Sequence, residues 1–297
     1  MKKAYIYAGI SILLWSTIAT VSKLLLTSID SYGVLMLSAL FASVALLLST
    51  VLNGKIKLLG HYRARDWLLS LVIGLPGTFL YNAFLYAGTA RMAASEAFII
   101  NYLWPIMSVA FACILLKERL TAPKCIAFAL SFLGVLTVAG GNLLDFRAKA
   151  LIGAALCVLA AVCYGAFTAL SRKWDYDDQL TILISYFATF VFSSIICLLR
   201  GMGLDVEPWQ WLGLAWNGIF VLAIATVTWA LALKFGGTAK ISNLAYATPF
   251  LSLVWTALIL KESISPYSIV GLALILLGIF IQIKEKGAHH VQDQHSD

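Results

Sequence analysis

One stretch of this chain is written twice. Asn101, Tyr102, Leu103, Trp104 and Pro105, running on to Lys117, Glu118 and Arg119, return 144 residues later as Ala245, Tyr246, Ala247, Thr248 and Pro249, running on to Lys261, Glu262 and Ser263. The same offset carries Trp67 onto Trp211, Gly74 onto Gly218 and Gly134 onto Gly278, while an offset of 149 carries Trp15, Ser22 and Lys23 onto Tyr164, Ser171 and Arg172. Matches this numerous and this well registered do not arise by chance. The apolar runs divide the same way, five to each half, so the fold must be one that two copies of a five-element unit can build.

A bilayer core takes about 20 mostly apolar residues per helix. The expected spans are 5–25, 33–52, 67–88, 94–116, 123–140, 150–172, 180–199, 209–232, 239–260 and 266–284. They are nearly continuous rather than alternating, which fits helices and not the period-of-two strands of a lipid-facing barrel. Only 12% of the residues are charged and 61% are hydrophobic, against roughly 25% charged in a soluble domain. The expected fold is therefore all-α and integral to the membrane: ten transmembrane helices as two inverted five-helix repeats, residues 1–145 and 146–286, followed by a polar cytoplasmic tail at 287–297. Lys2 and Lys3 precede the first span as they would in a signal peptide, but no small-residue cleavage site follows, so that span is read as a retained helix.

A net charge of +7 would suit a nucleic-acid partner if the basic residues clustered. Instead about 15 of the 21 Lys and Arg residues lie at the termini and in the loops after spans two, four, six and eight, among them Lys55, Lys57, Arg63, Arg65, Lys117, Arg119 and Lys124. The positive-inside bias then puts both termini in the cytoplasm. No nucleic acid is expected as a partner. Cys113, Cys125, Cys157, Cys163 and Cys197 lack CxxC spacing and read as small packing residues. His289, His290 and His295 fall in the polar tail, and no metal or other cofactor is expected.

Five is an odd number, so the second copy enters the membrane from the opposite side. In secondary transporters of this design the solute sits near the midplane between the halves, which rock to expose it alternately to each side. Pro105 and Pro249 fall in the middle of the fourth and ninth spans, where a missing N–H deprives the carbonyls of Asn101 and Ala245 of their helical partners. Each span should kink there and offer polar backbone to a cavity. Pro76 and Gly77 mark a further break in the third span, with no matching pair in the eighth.

At 100° per residue, Glu96, Asn101 and Trp104 share one face of the fourth span, and Thr78, Tyr81, Asn82, Leu85 and Tyr86 one face of the third. Trp15 of the first span is matched by Tyr164 of the sixth. The eighth offers Trp229, and the ninth Asn243 and Tyr246. Together these form a candidate midplane chamber, suited to flat or amphipathic solutes that stack on rings and bond to amides. An ideal helix sets Tyr102 opposite Trp104, so both can line it only if the Pro105 kink turns the face. Tyr5, Tyr7, Tyr32, Trp67, Trp209 and Trp211 lie near span ends and read as headgroup-belt rings. Glu96 is the acidic candidate on the chamber face, with a helix-end role as the alternative. Lys23 and Arg172 are expected to snorkel, and Glu118 and Glu262 to anchor loops.

No HExxH, Walker lysine loop or GxSxG is present, so an enzyme is not expected. Two repeats, each with a mid-helix Pro and a Glu after the helix, resemble the drug/metabolite transporter superfamily and its EamA-type branch of ten-helix exporters, over residues 4 to 285. Within that branch Trp15-Ser16-Thr17, Tyr81-Asn82, Glu96, the string from Asn101 to Pro105, Trp229 and the string from Tyr246 to Pro249 are similar to the aromatic amino acid exporters. The resemblance implies a bacterial inner-membrane protein, expected as a monomer, that exports aromatic amino acids or similar small amphipathic metabolites. It implies a lining role for Tyr81, Asn82, Tyr102, Trp104, Trp229 and Tyr246. Asn82 stands where a titratable residue is expected in such relatives, and Tyr164 where a Trp is expected. Export of cationic drugs or other amino acids on the same fold is the alternative. A membrane scaffold or receptor is a third class, disfavoured because the spans leave no room for an extramembrane domain.

Overall fold

The computed structural model of the chain describes residues 2–144, 148–174, 176–203, 205–236, 241, 244–245 and 247–293, and side chains for all of these except 140–144, 233 and 282–293. Among the described residues there are ten main helices: α1 (Lys2–Leu25), α2 (Ser31–Leu52), α3 (Ala64–Thr89), α4 (Ala94–Leu115), α5 (Ala122–Leu144), α6 (Ala148–Lys173), α7 (Asp178–Leu199), α8 (Pro208–Gly236), α9 (Ala247–Ile259) and α10 (Pro266–Asp293). Each coincides with one expected span. α10 continues beyond its apolar part as backbone helix to Asp293, past Lys284, Glu285 and Lys286, which are good helix formers, and through much of the expected tail.

The ends of matched helices are set by matched chemistry. Asp30 accepts the Tyr32 N–H at the start of α2, and Asp177 accepts the Leu180 N–H at the start of α7. Asp66 and Gln210, at matched positions in the first turns of α3 and α8, accept the N–H of Arg63 and of Glu207. Lys117 and Lys261 end α4 and α9 with left-handed φ values of 57° and 54°, and the next amide, of Glu118 or Glu262, returns to the carbonyl of Ala112 or Thr256.

The packing repeats the duplication. α1 lies along α8 and α9, α6 along α3 and α4, α2 pairs with α7, and α5 with α10. Exchanging the halves turns the first two pairings into each other and maps the last two onto themselves. Five helices per half make the exchange an inversion, so the halves are related by a pseudo-twofold axis in the membrane plane. Glycines permit the closest approaches. A Cβ at Gly74 of α3 would lie 1.8 Å from Oγ of Ser185 on α7, and one at the matched Gly218 of α8 would lie 2.4 Å from the carbonyl oxygen of Ser38 on α2.

Four features depart from ten unbroken spans. α1 is interrupted at Thr17, between Lys2–Ser16 and Ile18–Leu25. α4 is interrupted at Tyr102 and Leu103, the turn ahead of Pro105. α3 widens into a π-helical turn over Pro76–Leu80, where the Pro-Gly pair announced a break. α8 widens too, over Trp216–Ile224, although no proline marks it. That second wide turn is held from outside, because Asn217 donates to Ser38 Oγ (3.1 Å) and to the Tyr86 hydroxyl (2.6 Å).

Gly218→Ala should therefore destabilise the protein by roughly 1–3 kcal/mol, because the new methyl meets backbone that no rotamer change can move. Gly9→Ala, with open space around it, should be neutral or slightly stabilising. Thermal unfolding in detergent checks both. Equal midpoints would show that α2 and α8 can separate at no cost.

Candidate functional site

The break in α4 is where the two repeats meet. Pro105 has no N–H to give the Asn101 carbonyl, and the chain turns over Tyr102 and Leu103 before Trp104 starts the next segment. Of the two carbonyls expected to be freed, that of Ala245 accepts the hydroxyl of Tyr102, across the interface. The turn also resolves the facing of Tyr102 and Trp104: their rings meet edge to face at 6.5 Å instead of pointing to opposite sides.

Trp104 continues into a group of rings from three helices. Its centroid is 5.2 Å from that of Tyr164 on α6, which in turn lies 4.9 Å from Tyr81 on α3 and 5.6 Å from Phe167. Asn101 donates to the Tyr81 hydroxyl at 3.0 Å. At the matched place in the other repeat, Trp15 of α1 lies 5.3 Å from Trp229 of α8. Thus the first helix of each repeat sets a ring against the third helix of the other.

The break in α1 lies beside the second pair. Ser16 and Thr17 give their hydroxyl protons to the Leu13 and Leu14 carbonyls and accept indole N–H bonds from Trp255 of α9 (2.9 Å) and Trp216 of α8 (3.0 Å). The amides of Asn82 and Asn101 each keep a buried oxygen without a hydrogen-bond partner among the described residues. Asn82 donates to the Thr78 carbonyl (2.6 Å) and faces Tyr186 of α7.

The expected site residues therefore separate. Tyr81, Asn101, Tyr102, Trp104 and Tyr164 come together, as do Trp15 and Trp229. Thr78 and Tyr86 serve helix interfaces instead: Thr78 bonds to Gly74 and approaches Ser185 and Thr189, and fully buried Tyr86 accepts from Asn217. Glu96 is half-buried in the first turn of α4, where a carboxylate complements the helix dipole. Asn243 and Tyr246 lie outside the described residues. Pro249 is buried near the start of α9.

Lys23 reaches the α3–α4 turn, where its ammonium donates to the carbonyls of Thr89 and Met92. Trp67, Trp209 and Trp211 are exposed at span ends, as belt rings should be. Phe167, Tyr186, Trp216 and Trp255 join the site without having been expected there.

The model of the EamA-like transporter family matches this chain twice, over residues 2–140 and 151–283. An uncharacterized transporter of Clostridium kluyveri is 24% identical over 95% of this chain and 93% of its own length. The aromatic amino acid exporter YddG of Ancylobacter novellus is 25% identical over 61% of this chain and 64% of its own. A probable terminal-alkyne amino-acid exporter of Streptantibioticus cattleyicolor is 26% identical over 85% of each. A solved crystal structure at 22% identity superposes with a TM-score of 0.67, covering 98% of this chain and 99% of that one, and has the same fold.

Tyr102→Phe removes the donor to the Ala245 carbonyl inside the membrane. A buried polar group left unpaired costs about 1–3 kcal/mol, so the variant should unfold at a lower temperature in detergent. An unchanged midpoint would mean that the carbonyl has found another donor.

Proposed function

This chain belongs to the EamA-like transporter family, and we propose that it exports aromatic amino acids or similar small amphipathic metabolites across a bacterial inner membrane by alternating access. In this reading residues 1–145 and 146–286 are the two moving bodies and both termini are cytoplasmic. The observation that carries it is the pair of ring contacts between repeats, Tyr81 with Tyr164 and Trp15 with Trp229. Rings that face one another across a moving interface can be parted by a flat solute, which replaces ring–ring contact with ring–solute contact. The open oxygens of Asn82 and Asn101 are acceptors suited to an ammonium group. The name of the Ancylobacter novellus relative supports an aromatic cargo. That of the Streptantibioticus cattleyicolor relative supports a second reading, an amino acid without a ring.

Two measurements test this. Trp104→Ala removes one stacking surface, worth roughly 0.5–1.5 kcal/mol beyond area burial. It should weaken apparent affinity for phenylalanine or tryptophan in proteoliposomes about threefold to tenfold, with a smaller effect on an aliphatic amino acid. Equal transport of both classes by a well-folded variant would leave Trp104 as a packing residue. For topology, a cysteine at Lys57 should resist a membrane-impermeant thiol reagent added outside intact cells. Its modification would reverse the orientation.

A further inference from the structure

Glu262 follows α9 of the second repeat, yet its carboxylate is bound to the first. The left-handed turn at Lys261 brings it onto the start of α4, where Oε1 accepts the Ala94 N–H (2.8 Å) and Oε2 accepts the Ser95 N–H (3.0 Å) and the Ser95 hydroxyl (2.8 Å). Ala94 and Ser95 are buried. Their amides are first-turn donors with no partner inside the helix, carrying the positive end of its dipole. A carboxylate there makes three charge-assisted bonds, the strong kind.

The α3–α4 turn is gripped at both ends. Lys23, from the same repeat, holds the carbonyls of Thr89 and Met92 at 2.8 and 2.5 Å, and Glu262, from the other repeat, holds the amides that follow. Lys23 lies within electrostatic range of Glu262. On the opposite face Glu118 occupies the matched place after Lys117 and meets the second repeat through an ion pair with Arg172 at 2.8 Å, whose side chain is 55% exposed. The Glu262 contact uses buried backbone amides.

We propose that Glu262 is a gate residue: its contact with the α4 N-terminus latches the repeats together on the face away from the chain termini, and alternating access must break and remake it. The proposal rests on the alternating-access reading above. The latch biases the population toward states closed on that face by as much as its bonds favour them.

The test uses no transported solute, so it can fail independently of the proposed cargo. Full-length protein in detergent, with its five native cysteines replaced, carries Ser22→Cys as a probe. Ser22 is 1% exposed, on the α1 segment that packs against α9. Glu262→Gln should raise its rate of modification by a polar maleimide about tenfold, as expected for loss of one charge-assisted bond. Ser95→Ala, which removes one donor and spares both amides, should give a smaller rise. A second probe, Thr50→Cys, buried at the other face, should not speed up. An unchanged rate at Ser22→Cys in both variants would overturn the proposal, and so would an equal rise at both probes, which would show general loosening.

Discussion

Inside a bilayer there is no water to take up a stray backbone group, so every break in a helix must find its partner within the protein. The rest of this structure depends on how that demand is met. At the α4 break, the Tyr102 hydroxyl meets the Ala245 carbonyl. At the α4 start, Glu262 meets the amides of Ala94 and Ser95. At the end of α3, Lys23 meets the carbonyls of Thr89 and Met92. At the α1 break, Ser16 and Thr17 satisfy their own helix and take indole bonds from α8 and α9. Tyr102, Glu262 and the two indoles reach across between the repeats, so the broken helices are also seams along which the halves are joined.

The seams have two kinds of material. Glycines on α3, α5, α6, α8 and α10 let backbones approach so closely that a methyl would not fit, which sets α2 against α8, α3 against α7 and α6, α4 against α6, and α5 against α10. Rings and hydrogen-bonded side chains fill the rest of the space between α1, α8 and α9 and between α3, α4 and α6. A close glycine contact is bistable only at high cost, whereas rings can exchange one face for another.

Much of this was legible in the sequence for a physical reason. Apolar length reports a span directly, and proline reports a break directly, so the ten helices and the α4 turn could be read from residues alone. The repeat made the inversion readable as well. What could not be read depends on contacts between helices distant in sequence. The wide turn of α8 has no proline because Asn217 finds Ser38 and Tyr86. The partners of Lys23, two carbonyls 66 and 69 residues away, are invisible without the packing. Tyr86 shared the predicted chamber face by helical angle, yet that face is wide enough to reach α8, and its hydroxyl went there.

The central claim is that a solute bound among the rings is carried when the repeats exchange the face they open. Proteoliposomes loaded with unlabelled phenylalanine and diluted into a trace of labelled phenylalanine test it most directly. A carrier of this kind predicts transient accumulation of label above equilibrium, saturable in phenylalanine, because the loaded solute returns the protein to the facing state faster than the empty protein returns by itself. Label that only equilibrates, at a rate linear in concentration and unchanged by the internal load, would indicate a pore and contradict the account.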